Sequence, residues 1–177
     1  MNELRWIAKA RSYLNLTEIV GSKHNPTIVD MWKLGFNATG QSNRLKEKVW
    51  NNDETPWCGA FCAAVMAQSN LPHHIPKSFP LARSWATVGT KLSKPAYGCI
   101  VVFSRNGGGH VGFCVGRDKH GNIMVLGGNQ SNQVNIKPFS PSRVLAYRWA
   151  GDGTVPSDAR YKLPVLTSNG KVSTNEA

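Results

Sequence analysis

The sequence predicts an α+β domain in which N-terminal helices pack on an antiparallel sheet of about five strands. Two observations predict this class. Helical patterns dominate up to about residue 95, and β-type runs separated by turn residues follow. Helices that come first and strands that come later are typical of the α+β arrangement, in which helices cover a face of an antiparallel sheet.

The length and composition favour one globular domain. The chain has 177 residues, 41% of them hydrophobic, with six Trp, which is enough for a substantial core. No apolar run approaches the roughly 20 residues of a membrane span, so we expect no stable membrane insertion. The first residues mix charged and apolar side chains, unlike a signal peptide. We therefore expect synthesis in a reducing cytoplasm, with the four Cys as free thiols.

The formal net charge of +11 implies an acidic partner. Nucleic acid, an anionic membrane surface and an anionic cell-wall polymer are the candidates. The basic residues are scattered, without the interleaved basic and aromatic residues of RNA-binding segments. The charge therefore indicates a class of partner, and the sequence does not favour nucleic acid within it.

Three helices are predicted in the part of the chain that precedes Cys58. An amphipathic pattern covers residues 2–15. Asn25 as N-cap and Pro26 at the first helical position begin a second helix, which Gly35 is predicted to end. A short helix is expected over 45–50. These helices supply the apolar surface that the sheet needs.

The most informative helix contains Cys58. Thr55 is a competent N-cap, Pro56 fits the first helical position, and apolar residues continue the helix to about Ser69. The Cys58 sulfur then lies in the first turn, where unpaired N–H groups and the helix dipole favour a thiolate. This position is expected to lower the thiol pKa below its free value of about 8.5. Since a lone Cys is usually an inert core residue, the prediction of a nucleophile depends on partners elsewhere.

The second half is predicted to form the sheet and a tail. Turns rich in Gly, Asn, Ser and Pro separate five β-type runs. These runs cover residues 99–103, 111–115, 123–126, 134–136 and 144–149. Periodicity fades after the last run, so we divide the chain into a domain over 1–150 and a poorly ordered tail over 151–177.

A base and an orienting group for Cys58 are predicted at strand ends. His110 begins the second run, and Gly109 and Gly112 leave room beside it for a substrate. Asn129 follows the next run, which is joined to that of His110 by a hairpin, so its amide can lie beside the imidazole. A cysteine hydrolase needs a nucleophile, a base and an orienting group of this kind.

Four motifs closely resemble the CHAP-like branch of the NlpC-type papain-like cysteine peptidases, and single-domain phage endolysins most closely. They are TPWCGAF at 55–61, YGCIVVF at 97–103, GHVGF at 109–113 and LGGNQS at 126–131. The resemblance extends over about residues 2–149.

The resemblance implies a papain-like fold with Cys58 as nucleophile, His110 as base and Asn129 as the third member. It also suggests Trp57 as part of the cleft wall, although a core role for Trp57 is equally open. The sequence departs from the family pattern at Gly127, where many relatives have an acidic residue nearby, and at Cys99, where relatives usually carry Asp.

The resemblance also implies the reaction. Members of the family are peptidoglycan amidases or peptidases, in which the Cys attacks an amide carbonyl and its own N–H donates to the oxyanion. His110 would protonate the leaving amine and then activate water. Some CHAP domains bind calcium through an acidic loop before the Cys, but residues 51–54 lack the alternating carboxylates of such a loop. No metal and no other cofactor are therefore expected.

The expected biological role is that of a phage-type lytic enzyme. It would be a monomer, made in the host cytoplasm without a signal peptide, and would act on periplasmic peptidoglycan after a holin has opened the membrane. Two alternatives stay open. One is an interbacterial amidase effector with the same chemistry. The other is a non-enzymatic basic module that binds wall polymer or nucleic acid, with Cys58 as a relic.

Overall fold

The computed structural model describes residues 2–151, 153, 155–169 and 171–173, and shows helices followed by an antiparallel sheet of six strands. The α-helices are α1 (Arg5–Arg11), α2 (Pro26–Ala38) and α3 (Cys58–Gln68). The strands are β1 (Thr90–Leu92), β2 (Ile100–Arg105), β3 (Gly108–Arg117), β4 (Ile123–Gly127), β5 (Asn135–Phe139) and β6 (Val144–Trp149). Their spatial order is β1-β6-β2-β3-β4-β5. The predicted α+β class is confirmed.

The sheet has one strand more than the five expected. The added strand, β1, is three residues long and pairs with the edge of β6, where Thr90 lies opposite Trp149. A strand of three residues is too short to show alternation in the sequence. Its pairing depends on residues almost 60 positions away, which a local pattern does not report.

The central helix is α3, and its residues from Cys58 to Met66 are all buried. It contacts α1, α2, β3 and β4, which explains why its sequence is apolar on every side. The helix begins two residues later than predicted, with Trp57 at the N-cap. The Thr55 hydroxyl donates to the Val49 carbonyl at 2.8 Å and so does not cap α3. Among the described residues, no helix combines the length and the apolar character needed to cross a membrane.

Close packing of α2 on α3 explains a second difference from prediction. Asn25 caps α2 as expected, since its side chain accepts the Thr27 N–H at 3.0 Å. The prediction that Gly35 ends the helix is wrong, because α2 continues to Ala38. A Cβ at Gly35 would lie 2.6 Å from the Phe79 ring and 3.0 Å from the Ala63 Cβ. Glycine at this position therefore allows the two helices to approach each other.

The segment after residue 150 makes backbone hydrogen bonds with the sheet where it is described. The Arg117 N–H donates to the Pro164 carbonyl at 2.9 Å, and the Ser173 N–H donates to the Pro138 carbonyl at 2.9 Å. These bonds join the described part of the segment to β3 and β5, where the sequence predicted a poorly ordered tail. Residues 152, 154, 170 and 174–177 of that tail lie outside the described residues.

Candidate active site

Cys58 is the first residue of α3 and borders a surface pocket. The backbone N–H groups of Val111, Gly59 and Cys58 itself favour the thiolate and act to lower the pKa of its thiol. Two of these donors are available because the first N–H groups of a helix have no intrahelical acceptor. The third comes from β3, one residue after His110. Packing of α3 on β3 therefore places the predicted nucleophile beside the strand that carries the predicted base.

The electrostatic balance at Cys58 differs from the sequence-based expectation. Burial raises the pKa of the Cys58 thiol, although the N–H groups of Val111 and Gly59 and the charge of Arg105 act to lower it. The prediction of a lowered pKa is wrong in direction, because desolvation of the thiolate outweighs the helix N-terminus. The resting thiol is therefore protonated at neutral pH and needs a neighbouring base in order to react.

His110 is almost completely buried in β3, and its ring is held on two sides. The imidazole stacks on Phe139 with ring centroids 5.2 Å apart and planes 2° from parallel, and its centroid lies 6.3 Å from that of Phe103. Its Nε2 lies 3.0 Å from Oε1 of Gln130. Aromatic packing and this hydrogen bond together fix the orientation of the ring.

Gln130 therefore makes the contact with His110 that the sequence analysis assigned to Asn129. The Gln130 Nε2 donates to the Val125 carbonyl at 3.2 Å, to the Asn135 carbonyl at 2.9 Å and to the Asn135 Oδ1 at 2.7 Å. Because these partners are all acceptors, Oε1 must face the imidazole and accept its Nε2–H. In the neutral ring this tautomer makes Nδ1 the nitrogen that accepts a proton.

Asn129 lies in a different environment. Its φ of 56° is in the left-handed region, and it lines a pocket with Glu18, Glu54 and Asn132. The left-handed turn breaks the alternation of side chains at the end of β4, so counting from the strand does not predict which residue meets the ring. Gln130 is part of the LGGNQS motif, but the local sequence does not distinguish it from Asn129.

The two glycines predicted to border the substrate have different surroundings. Gly109 lines the pocket beside Cys58. Gly112 does not face the predicted open space, because a Cβ there would lie 2.6 Å from the Val125 Cγ1 and 3.0 Å from the Leu126 carbonyl oxygen. The close approach of β4 fills that space, so Gly112 serves packing of the sheet.

Trp57 is fully buried at the start of α3, so the core role fits it and the cleft-wall role does not. Its Nε1 donates to the Glu18 Oε1 at 2.6 Å. The ring packs beneath Gly128, where a Cβ would lie 2.6 Å from the indole. Trp57 thereby supports the segment that leads to Gln130.

Asp53 fixes the loop that leads into Cys58. Its Oδ2 accepts the N–H groups of Ile19 at 2.9 Å and Asn25 at 2.8 Å, and its Oδ1 lies 2.8 Å from the His24 Nδ1. Burial acts to raise the pKa of Asp53, but these hydrogen bonds outweigh it and lower the pKa below its ordinary value. Within the described part of the chain, no group of three or more His, Cys, Asp or Glu is placed to hold a metal ion.

The fold and the site together define a class. A helix-borne Cys packed against a strand His in an α+β domain is the arrangement of papain-like cysteine hydrolases. Residues 50–129 match the family model described as CHAP domain, which supports the CHAP-like part of the resemblance over these residues. This family indicates a cysteine- and histidine-dependent hydrolase of peptidoglycan, of the amidase or peptidase kind. No curated protein and no solved structure matches the chain.

Proposed function

We propose that the protein hydrolyses an amide or peptide bond of peptidoglycan, with Cys58 as nucleophile and His110 as general base. One observation carries the assignment of these residues. Helix α3, whose first residue is Cys58, packs on β3, the strand that carries His110, and the N–H of the adjacent Val111 acts to lower the pKa of the Cys58 thiol. The match of residues 50–129 to the CHAP family supports peptidoglycan as the substrate.

The reaction begins with a proton transfer, since burial raises the pKa of the Cys58 thiol and keeps it neutral at rest. With Nε2 of His110 donating to Gln130, we assign Nδ1 as the nitrogen that takes the thiol proton. The sulfur attacks the scissile carbonyl, and the oxyanion forms near the unpaired N–H groups at the start of α3. The imidazolium then protonates the leaving amine, and a thioester remains on Cys58.

Deacylation reverses the roles. His110 removes a proton from water as the oxygen attacks the thioester carbonyl. The C–S bond then breaks, the acid product leaves, and the imidazolium returns its proton to the Cys58 sulfur. Gln130 is a positioning residue in this scheme, in place of Asn129. Its amide holds the ring in one tautomer without adding a charge, and three carbonyl-type acceptors in turn hold the amide.

Mass spectrometry of digested Gram-negative peptidoglycan tests the proposal. The wild type and Cys58→Ala are compared with Cys62→Ala, a matched control whose thiol is also buried in α3 but is not part of the proposed chemistry. We expect digestion by the wild type and Cys62→Ala, and none by Cys58→Ala. Glycan strands freed from intact stem peptides would identify an amidase, and cross-linked dimers reduced to monomers an endopeptidase. Equal digestion by Cys58→Ala would refute the proposal.

We further propose the role of a monomeric phage-type endolysin that is made in the cytoplasm and reaches periplasmic peptidoglycan through a holin. The family match and the charge of +11, which suits an anionic wall, support this role. Expression in a Gram-negative host should cause lysis only when a holin is co-expressed, and Cys58→Ala should cause none. Lysis without a holin would contradict this route to the wall.

A further inference from the structure

The pocket beside Cys58 combines the proposed nucleophile with two cations. Its volume is about 260 Å³. Its lining residues are Pro56, Cys58, Pro80, Leu81, Ala82, Arg83, Arg105, Gly108 and Gly109. Among these described residues none is acidic, so the positive charge of the two arginines is not neutralised within the pocket.

Arg83 uses one of its three guanidinium nitrogens for a hydrogen bond to the backbone at the pocket. Its Nε donates to the Gly108 carbonyl at 2.9 Å. No residue in the described part of the chain accepts a hydrogen bond from its terminal nitrogens. The backbone bond therefore fixes the position of the guanidinium and leaves its outer donors for a ligand.

Arg105 ends β2 opposite Gly108, and its charge reaches the Cys58 sulfur. It is half-buried and has neither an ion pair nor a hydrogen bond with any described side chain. Two other arginines of the chain do have carboxylate partners. Arg11 lies 3.3 Å from a Glu3 oxygen, and Arg44 lies 2.9 Å from a Glu47 oxygen. Among the described residues, neither arginine at the pocket has a carboxylate counter-ion.

We propose that Arg83 and Arg105 form an anion subsite that binds a carboxylate of the substrate next to the bond that Cys58 attacks. The inference rests on the proposed function and adds a substrate class, peptides with an acidic group flanking the scissile amide. Guanidinium groups bind carboxylates through paired N–H donors. A Cβ at Gly108 would meet no atom within 4 Å, so bare backbone leaves this part of the pocket open to the ligand.

The same geometry allows a competing role for Arg105, stabilisation of the Cys58 thiolate without any contact with substrate. The two roles predict different kinetics. A substrate-binding arginine affects KM for acidic substrates and leaves the reactivity of the thiol toward a neutral alkylating reagent unchanged. An arginine that acts on the thiolate changes alkylation and slows every substrate equally.

The experiment uses two peptidoglycan fragments that differ only in their carboxyl groups. One fragment keeps free carboxylates, and the other has them converted to carboxamides. The full chain is assayed as wild type, Arg83→Gln, Arg105→Gln and Arg105→Lys. The matched control is Arg117→Gln, which removes the same charge from an exposed side chain at the far end of β3. Iodoacetamide alkylation of Cys58 is measured for each variant.

We expect the wild type and Arg117→Gln to prefer the carboxylate fragment by about 10- to 100-fold in kcat/KM, as charge-assisted hydrogen bonds of this kind allow. Each Gln variant should lose most of this preference through a higher KM, with an unchanged alkylation rate in Arg83→Gln. In Arg105→Gln the alkylation rate should fall much less than kcat/KM on the carboxylate fragment, since the charge of Arg105 also acts to lower the pKa of the thiol. Arg105→Lys should retain part of the preference.

Three results would overturn the inference. Equal rates on both fragments by a wild type that Cys58→Ala inactivates would remove the subsite and leave the proposed function intact. Slower alkylation and equal loss on both fragments in Arg105→Gln would assign Arg105 to the thiolate. If the wild type cleaves neither fragment, the inference fails together with the proposed function.

Discussion

The start of α3 separates an acidic side from a basic side, and the two sides differ in how their charges are partnered. On the acidic side, Glu18 accepts from an indole N–H, Asp53 from two backbone N–H groups, and Glu54 from the backbone N–H of Gly21. On the basic side, one nitrogen of Arg83 bonds to a carbonyl, and the Arg105 guanidinium has no hydrogen bond and no ion pair with any described residue. The carboxylates have hydrogen-bond donors within the protein and stabilise the fold. The two arginines keep donors that no described residue occupies, and the proposed subsite uses these donors to bind a ligand.

The largest effect on stability is expected from Asp53→Ala. The substitution leaves the N–H groups of Ile19 and Asn25 and the His24 ring without their buried acceptor. We expect a loss of about 3 kcal/mol in the free energy of unfolding, measured by urea denaturation. Glu54→Ala, which removes an exposed carboxylate, should change stability by only about 0.5 kcal/mol. Equal losses of unfolding free energy in the two variants would mean that the buried hydrogen bonds of Asp53 do not stabilise the fold more than an exposed carboxylate does.

Gln130 has hydrogen-bond partners within the protein, and its substitution tests whether such a residue also affects kcat. Gln130→Ala removes the acceptor at the His110 Nε2, so the ring loses the hydrogen bond that fixes its tautomer and contributes to its orientation. We expect kcat to fall about 100-fold, the cost of misplacing a catalytic group by about 1 Å. Asn129→Gly, which suits the left-handed backbone at that position, should leave kcat within about threefold of the wild type.

Steady-state assays of both variants on peptidoglycan decide between the residue predicted from sequence and the residue that contacts the ring. A large loss in Asn129→Gly with little change in Gln130→Ala would restore the original assignment. The unfolding midpoint of each variant serves as the control, because Gln130 is buried and its truncation is also expected to lower stability.

The sequence was sufficient for the features that are encoded locally. Asn25 before Pro26 marked the start of α2, and the apolar run after Cys58 marked the central helix. Periodicity also located β2, β3, β4 and β6, because each of these strands has enough residues to display its own pattern, whereas the run predicted over 134–136 overlaps β5 at only two residues. These elements were enough to predict the α+β class, and the four motifs at 55–61, 97–103, 109–113 and 126–131 indicated the CHAP-like family.

The features that the sequence did not predict depend on distant contacts. Gly35 was predicted to end α2, because the Phe79 ring that requires a glycine there is 44 positions away in the sequence. The direction of the Cys58 pKa shift depends on burial by the whole domain, whereas the helix start that favours a thiolate is visible locally. Gln130 replaced Asn129 at the imidazole because a left-handed turn changes which side chain points inward. Each difference is a tertiary effect that overrides a local rule.

Asp118, a buried carboxylate outside the site, is expected to make the stability of the protein depend on pH in the acidic range. Burial acts to raise the pKa of Asp118, but hydrogen bonds from Asn122, Ser168 and the His120 N–H outweigh it and lower the pKa to about 2. Because the folded pKa is depressed, this stabilisation is fully present above the ordinary Asp pKa of about 3.9 and is lost as the pH falls toward about 2.

Urea denaturation between about pH 5 and about pH 2 measures this contribution. Asp118→Asn should be less stable than the wild type at the upper end of the range, and the difference should shrink toward the lower end. The amide carries no charge and cannot accept the Ser168 hydroxyl and the Asn122 amide through its nitrogen. Parallel curves for the two proteins would mean that Asp118 does not supply the stabilisation.

The smallest expected effect concerns Trp57, where the acidic side comes closest to the nucleophile. Trp57→Phe keeps a buried aromatic ring but removes the N–H that donates to Glu18 at 2.6 Å. We expect a loss of about 1 kcal/mol in unfolding free energy, with kcat/KM within about twofold of the wild type. An unchanged stability with a raised KM would instead mean that the indole touches the substrate. Since the Glu18 carboxylate loses a donor while its charge stays, the substitution measures the contribution of this single hydrogen bond.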